Sequence, residues 1–130
     1  MARHLRAFVK EKPLIALVGA SNNSRKYGSI ILKDLLSKGF TVIPVNKHNP
    51  SIHGLKAYQN LTDALAEHNY QLIVYVIPPD QTLKSLVEAN TLNLKNIWVQ
   101  PGASNNEVTT FLREQAFNYV VNDCIMLVPV

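Results

Sequence analysis

The sequence predicts an α/β fold, a doubly wound parallel sheet of about five strands with helices on both faces, and three observations carry that prediction. Short apolar runs rich in Val and Ile recur along the chain without polar alternation, the mark of strands covered on both sides. Between them lie amphipathic stretches with helical spacing and recognisable ends. Strand and helix thus alternate from end to end, which implies right-handed crossovers within one sheet.

The elements follow in order. Arg3, Arg6, Lys10 and Lys12 read as the solvated face of an N-terminal helix, and Leu14–Gly19 as the first strand. Ile31, Leu32, Leu35 and Leu36 form one helical stripe, which Gly39 and Phe40 close as a C-cap with its hydrophobic contact. Thr41–Asn46 is the second strand, and Asn60 or Thr62 opens a short helix. Leu72–Ile77 leads through Pro78 and Pro79, tolerated in a first turn, into a helix marked by Leu83, Leu86 and Val87. After the strand Asn96–Gln100, Ser104 and Glu107 have capping-box spacing ahead of Val108, Phe111 and Leu112. Tyr119–Val121 is the last strand.

A chain of 130 residues is the size of one domain, spanning 1–130, and buries about two-thirds of its extended surface. With 47% apolar and 17% charged residues the composition is globular, and no apolar run approaches the ~20 residues of a bilayer span. The basic N-terminus lacks the apolar core of a secretory signal, and the lone Cys124 suits the cytoplasm. The four histidines show no metal-ligand spacing, and His48 and His53 fall in a stretch that reads as surface loop. A net charge of +4 points to anionic partners.

In an open sheet of this kind, ligands bind beyond the carboxyl ends of the strands. Those ends are Gly19-Ala20-Ser21, Val45-Asn46-Lys47, Ile77-Pro78-Pro79, Gln100-Pro101-Gly102 and Asn122-Asp123-Cys124, groups that bind or shape more than they catalyse. The first supports a phosphate site. Gly19 ends a strand, Ser21 supplies a hydroxyl, Gly28-Ser29 opens a helix whose free N–H groups favour an anion, and Arg25 and Lys26 add charge. The dinucleotide fingerprint is missing, because Gly19 is followed by Ala20 and Ser21, and the second strand ends in Lys47 rather than a carboxylate. Lys47 attracts a phosphorylated ribose, which leaves coenzyme A or NADP. Cys124 is expected at or just beyond the same edge.

With the five strand ends assembled, the chain resembles the small stand-alone coenzyme A-binding proteins, a Rossmann-like family similar to the nucleotide-binding domain of succinyl-CoA synthetase alpha subunits. The residues that carry the resemblance are Ile15–Ser21, Gly39–Asn46, Ile52–Tyr58, Asn96–Ala103 and Val120–Ile125, in that order along nearly everything after Lys12. The resemblance implies that Gly19, Ala20 and Ser21 with Lys26 hold the phosphates. It implies that Val45 and Asn46 lie beside the adenosine end, that Ile77 and Pro78 shape the adenine or pantetheine path, and that Gln100 and Gly102 border the pantetheine. The chain departs from the family pattern in having Lys47 where members often have proline, and Asn122-Asp123-Cys124 where they have Asp-Arg-Cys. The implied function is binding of coenzyme A or an acyl-CoA by a cytoplasmic module, not an enzyme, with no nucleic-acid or membrane partner. The alternative on the same fold is an NADP-dependent oxidoreductase or another nucleotide-binding module.

Overall fold

The structure, a computed structural model, describes residues 2–130. In chain order its elements are α1 (Ala2–Lys10), β1 (Ile15–Val18), α2 (Tyr27–Ser37), β2 (Val42–Val45), β3 (Ser51–Ile52), β4 (Leu55–Lys56), α3 (Leu61–Glu67), β5 (Leu72–Tyr75), α4 (Pro79–Thr91), β6 (Asn96–Val99), α5 (Asn106–Glu114) and β7 (Asn118–Val121), with a 3-10 turn at Ile125–Leu127. Five strands form one parallel sheet in the order β2-β1-β5-β6-β7. The chain moves from β1 to one neighbour, β2, and later returns to the other, β5. A crevice therefore opens at the carboxyl ends where the winding reverses.

The missing polar alternation has a direct cause. Ile15 and Leu17 point into one core with Leu5, Ile31 and Leu35, while Ala16 and Val18 point into the other with Leu61, Leu86 and Leu112. Helices cover both faces, so neither side of a central strand meets water. Pro44, in β2, is tolerated because β2 is an edge strand, and its carbonyl accepts from Tyr58 N at 3.0 Å. Trp98 is wholly buried at the far side of the sheet, and its indole N–H donates to Asp123 O at 2.8 Å. Arg6 of α1 pairs with the Asp123 carboxylate, so the N-terminal basic cluster is not purely a solvated face. The Arg3 side chain lies outside what the structure describes.

Helix ends refine the sequence reading. Gly39 (φ +91) closes α2 as expected, with Gly39 N bonded to Leu36 O and Phe40 N to Leu35 O. Asn60 caps α3 through Asp63 N. In α5 the cap is Asn105, which accepts from Val108 N at 2.9 Å, not Ser104, whose hydroxyl pairs with Thr109. Two apolar residues assigned to buried stripes face solvent: Leu36 on α2 and Val87 on α4, where Thr82, Leu86 and Ala89 are the buried set. Among the described residues no helix is long and apolar enough to cross a membrane.

The stretch around His53 is ordered structure rather than loop. Ile52 and Leu55 pair across His53-Gly54, both at positive φ (+50 and +78), the two-residue turn whose twist matches that of its strands.

Candidate functional site

At the predicted edge lies a cleft of about 900 Å³, at the upper end of the range for small-molecule sites. Its floor is built where β1 turns into α2. Gly19 adopts φ +103, and a Cβ there would lie 2.7 Å from the Ile77 side chain. Gly28, in the first turn of α2, passes so close to the strand end that a Cβ would lie 1.9 Å from the Gly19 carbonyl oxygen. Both positions therefore demand glycine, for different reasons: the first for its backbone angle, the second for close backbone approach.

Helices α2 and α4 both open on this cleft without a side-chain cap, whereas α3 and α5 are capped by Asn60 and Asn105. The opening turn of α2 presents N–H groups with no partner inside the helix, and their positive end of the dipole favours an anion; α4 opens on Pro78 and Pro79, which carry no N–H, and has Asp80 in its first turn, so the anion-favouring end belongs to α2. Arg25, Lys26, Lys47 and Lys84 line the same cleft. Among the described residues the ion pairs are Arg6–Asp123, Lys38–Asp34 and Lys56–Glu67, so no cleft cation is neutralised by a carboxylate contact. The acid on the wall, Glu88, is directed elsewhere: its carboxylate accepts from Leu61 N, Thr62 N and Thr62 Oγ1 at 3.3, 3.0 and 2.6 Å. Beside it, Ser85 bonds the Tyr75 hydroxyl at 2.9 Å, and burial pushes that phenol well above its ordinary range.

Of the residues singled out from sequence, Gly19, Ser21, Lys26, Gly28, Val45, Asn46, Lys47, Ile77, Pro78 and Gly102 line the cleft, and two do not. Ala20 is fully buried in the core, with its carbonyl accepting from Asn46 Nδ2 at 2.9 Å. Gln100 is also buried, and its side chain turns to the opposite face, where Oε1 accepts from Ile125 N at 2.8 Å and Nε2 donates to Cys124 Sγ at 3.3 Å. Strand alternation carries that signal: Val99 belongs to the core on the α4 side and Trp98 to the other, so Gln100 follows Trp98. Cys124, placed by sequence near the edge, is half-buried on this opposite side and does not line the cleft.

Two cleft residues hold the cleft together. The Asn46 amide oxygen accepts from His48 N and Asn49 N, which shapes the turn that presents Lys47. Ser21 Oγ accepts from Asn23 N at 3.0 Å, leaving its hydroxyl hydrogen to donate. Sequence reasoning missed the α4 wall, Gln81, Lys84, Ser85 and Glu88, because an exposed polar helix face carries no mark of what it faces.

The family described as CoA binding domain matches residues 14–129. The chain belongs to this coenzyme A-binding domain family. The α subunit of ADP-forming acetate–CoA ligase II from Pyrococcus furiosus is 31% identical over 84 residues, which cover 64% of this chain and 18% of that one. An ADP-forming acetate–CoA ligase from Methanocaldococcus jannaschii is 29% identical over 109 residues, 81% of this chain and 15% of that one. The chain thus spans less than a fifth of the length of these curated relatives. Among solved structures, a conserved hypothetical protein from Pyrococcus furiosus superposes with a TM-score of 0.82 at 45% identity, covering 88% of this chain and 97% of its own. The fold is accordingly Rossmann-like, and the family's match takes in the strand ends and both glycines of the cleft floor.

Proposed function

We propose that this chain binds coenzyme A or an acyl-CoA in the cleft at the β1/β5 switch point, with the diphosphate against the Gly19–Gly28 loop. The observation that carries the reading is the convergence of Arg25, Lys26, Lys47 and Lys84, none held by a carboxylate among the described residues, on a cleft into which the uncapped start of α2 opens. Such a site suits a ligand with several negative charges, and coenzyme A carries them on its diphosphate and its ribose phosphate. Membership of the coenzyme A-binding family supports the same ligand. The residues fit the group: the glycine crossing lets backbone N–H groups approach phosphate closely, and Val76, Ile77 and Ala103 give apolar wall for an uncharged arm.

Titration calorimetry with coenzyme A is the test. Lys26→Glu should weaken binding by ~1–3 kcal/mol, since a charge-assisted contact is lost and a repulsion gained, and affinity should fall as salt is raised. Dephospho-coenzyme A should bind less tightly than coenzyme A. Equal affinity for the two would remove Lys47 from any contact with the ribose phosphate, and no binding of either would remove the ligand class.

A further inference from the structure

We propose that His53 is a positioning residue, fastening the β3–β4 hairpin across the Gly19–Gly28 loop so that the loop is already in its anion-binding shape before ligand arrives. The proposal rests on the reading of that loop as the phosphate site. His53 Nε2 lies 2.9 Å from Ser29 Oγ, in the first turn of α2, and 3.1 Å from Ser21 O, in the loop itself. With the proton on Nε2 the ring donates to the Ser21 carbonyl, which can only accept; with the proton on Nδ1, Nε2 accepts from the Ser29 hydroxyl, so in either tautomer the ring ties the hairpin to the loop or to the helix start beside it. Two further bonds join the same partners: His53 N donates to Asn22 Oδ1 at 2.9 Å, and Asn22 Nδ2 donates to Ser51 O at 2.9 Å. The loop's other bonds beyond Ala20 are short-range turns, Asn23 N to Ser21 Oγ, Arg25 N to Asn23 Oδ1 and Lys26 N to Asn23 O. The hairpin thus supplies the long-range ties of an otherwise solvent-exposed segment that carries Arg25 and Lys26.

The choice of residue is informative. A two-residue turn with positive φ at both central positions favours Asn-Gly, and His53 occupies the first of them at φ +50. Local turn chemistry therefore asks for asparagine, and the sequence departs from it. What histidine adds is reach: its Nε2 spans the gap to Ser21 and Ser29, and the asparagine amide ends short of it. A departure from local preference that creates a long-range contact beside a site marks that contact as the reason for the residue.

His53→Asn separates the two roles, because it keeps or improves the turn and removes the Nε2 contacts. The variant is expected to stay folded, with the relieved turn offsetting part of the stability lost with the Nε2 contacts, while the amides of Asn22–Lys26 exchange hydrogen faster without ligand and coenzyme A binds about tenfold more weakly, the loss expected when a competent loop becomes a minor state. His53→Gln, whose side-chain amide extends further and donates to Ser21 O, should restore most of both. Ser29→Ala, which leaves the turn untouched, should give a smaller shift in the same direction. Unchanged loop exchange and unchanged affinity in His53→Asn and Ser29→Ala would overturn the proposal. If the parent itself does not bind coenzyme A, the functional reading fails separately, and loop exchange in the ligand-free variants still decides whether His53 orders the loop.

Discussion

Ala116 ends α5 at φ +57, a left-handed conformation that glycine adopts freely and alanine does not. The turn is otherwise the same closure seen after α2: Ala116 N bonds Arg113 O and Phe117 N bonds Leu112 O, as Gly39 and Phe40 do with Leu36 and Leu35. Asn93, at φ +58, closes α4 in the same way, and asparagine tolerates the angle better than alanine. Ala116 is exposed, so removing its methyl costs little burial. Ala116→Gly should therefore stabilise the fold by about 0.5 kcal/mol, the backbone relief exceeding the extra freedom glycine has when unfolded. Urea denaturation reads this directly, and a midpoint at or below the parent's would mean that the turn carries no strain to release.

At the scale of elements, Glu88 shows how one helix sets another. It sits on α4, yet its carboxylate accepts from the first two backbone amides of α3 and from Thr62 Oγ1, supplementing the Asn60 cap. Because Glu88 also lines the cleft, its charge opposes an anionic ligand while it supports the fold. Glu88→Gln should cost about 1 kcal/mol of stability, since charged acceptors bind amides more strongly than neutral ones, and at the same time tighten coenzyme A. Stability and affinity moving in the same direction would refute that division. Such a role was not legible in the sequence, because an acid on an amphipathic helix reads the same whether it faces water or a neighbouring helix end. The five sheet strands were legible, since burial on both faces leaves continuous apolar runs such as Ile15–Val18 and Leu72–Tyr75. The hairpin was not, because its strands are two residues long and His53 hides the Asn-Gly signal of its turn. The glycine crossing at the cleft floor was legible in Gly19 and Gly28, whereas the direction of the Gln100 side chain, away from the cleft, shows only when the strand's alternation is followed from Trp98.

At the scale of the whole molecule, core and cleft wall adjoin on the face covered by α3 and α4. Three buried tyrosines there, Tyr58, Tyr70 and Tyr75, each have a hydrogen-bond partner: Tyr58 donates to Glu67 Oε1 at 2.7 Å, Tyr70 donates to Leu61 O at 2.8 Å, and Tyr75 meets Ser85, on the cleft wall, at 2.9 Å. Burial raises Tyr70 and Tyr75 well above their ordinary range and the nearby Glu88 charge adds to the shift, while the bond to Glu67 raises Tyr58. In the unfolded chain these phenols release their protons at about pH 10, whereas in the folded protein they keep them. Folded-state values raised above the unfolded ones give stability that is fully present below pH 10 and declines as pH rises beyond it, because the unfolded state then binds fewer protons than the native state. Lys56, raised by its bond to Glu67, declines in the same direction, so the tyrosine share must be isolated by substitution. Denaturant titrations from pH 9 to pH 11 should show a falling midpoint in the parent and a shallower fall in Tyr75→Phe, compared within each variant to its own value at pH 9. Phenolate absorbance supplies the independent check: the share lost in Tyr75→Phe should appear only as the chain unfolds. Full ionisation of every tyrosine while the fold persists would show that the α4 face opens to water without unfolding, and that core and cleft wall are not one cooperative unit.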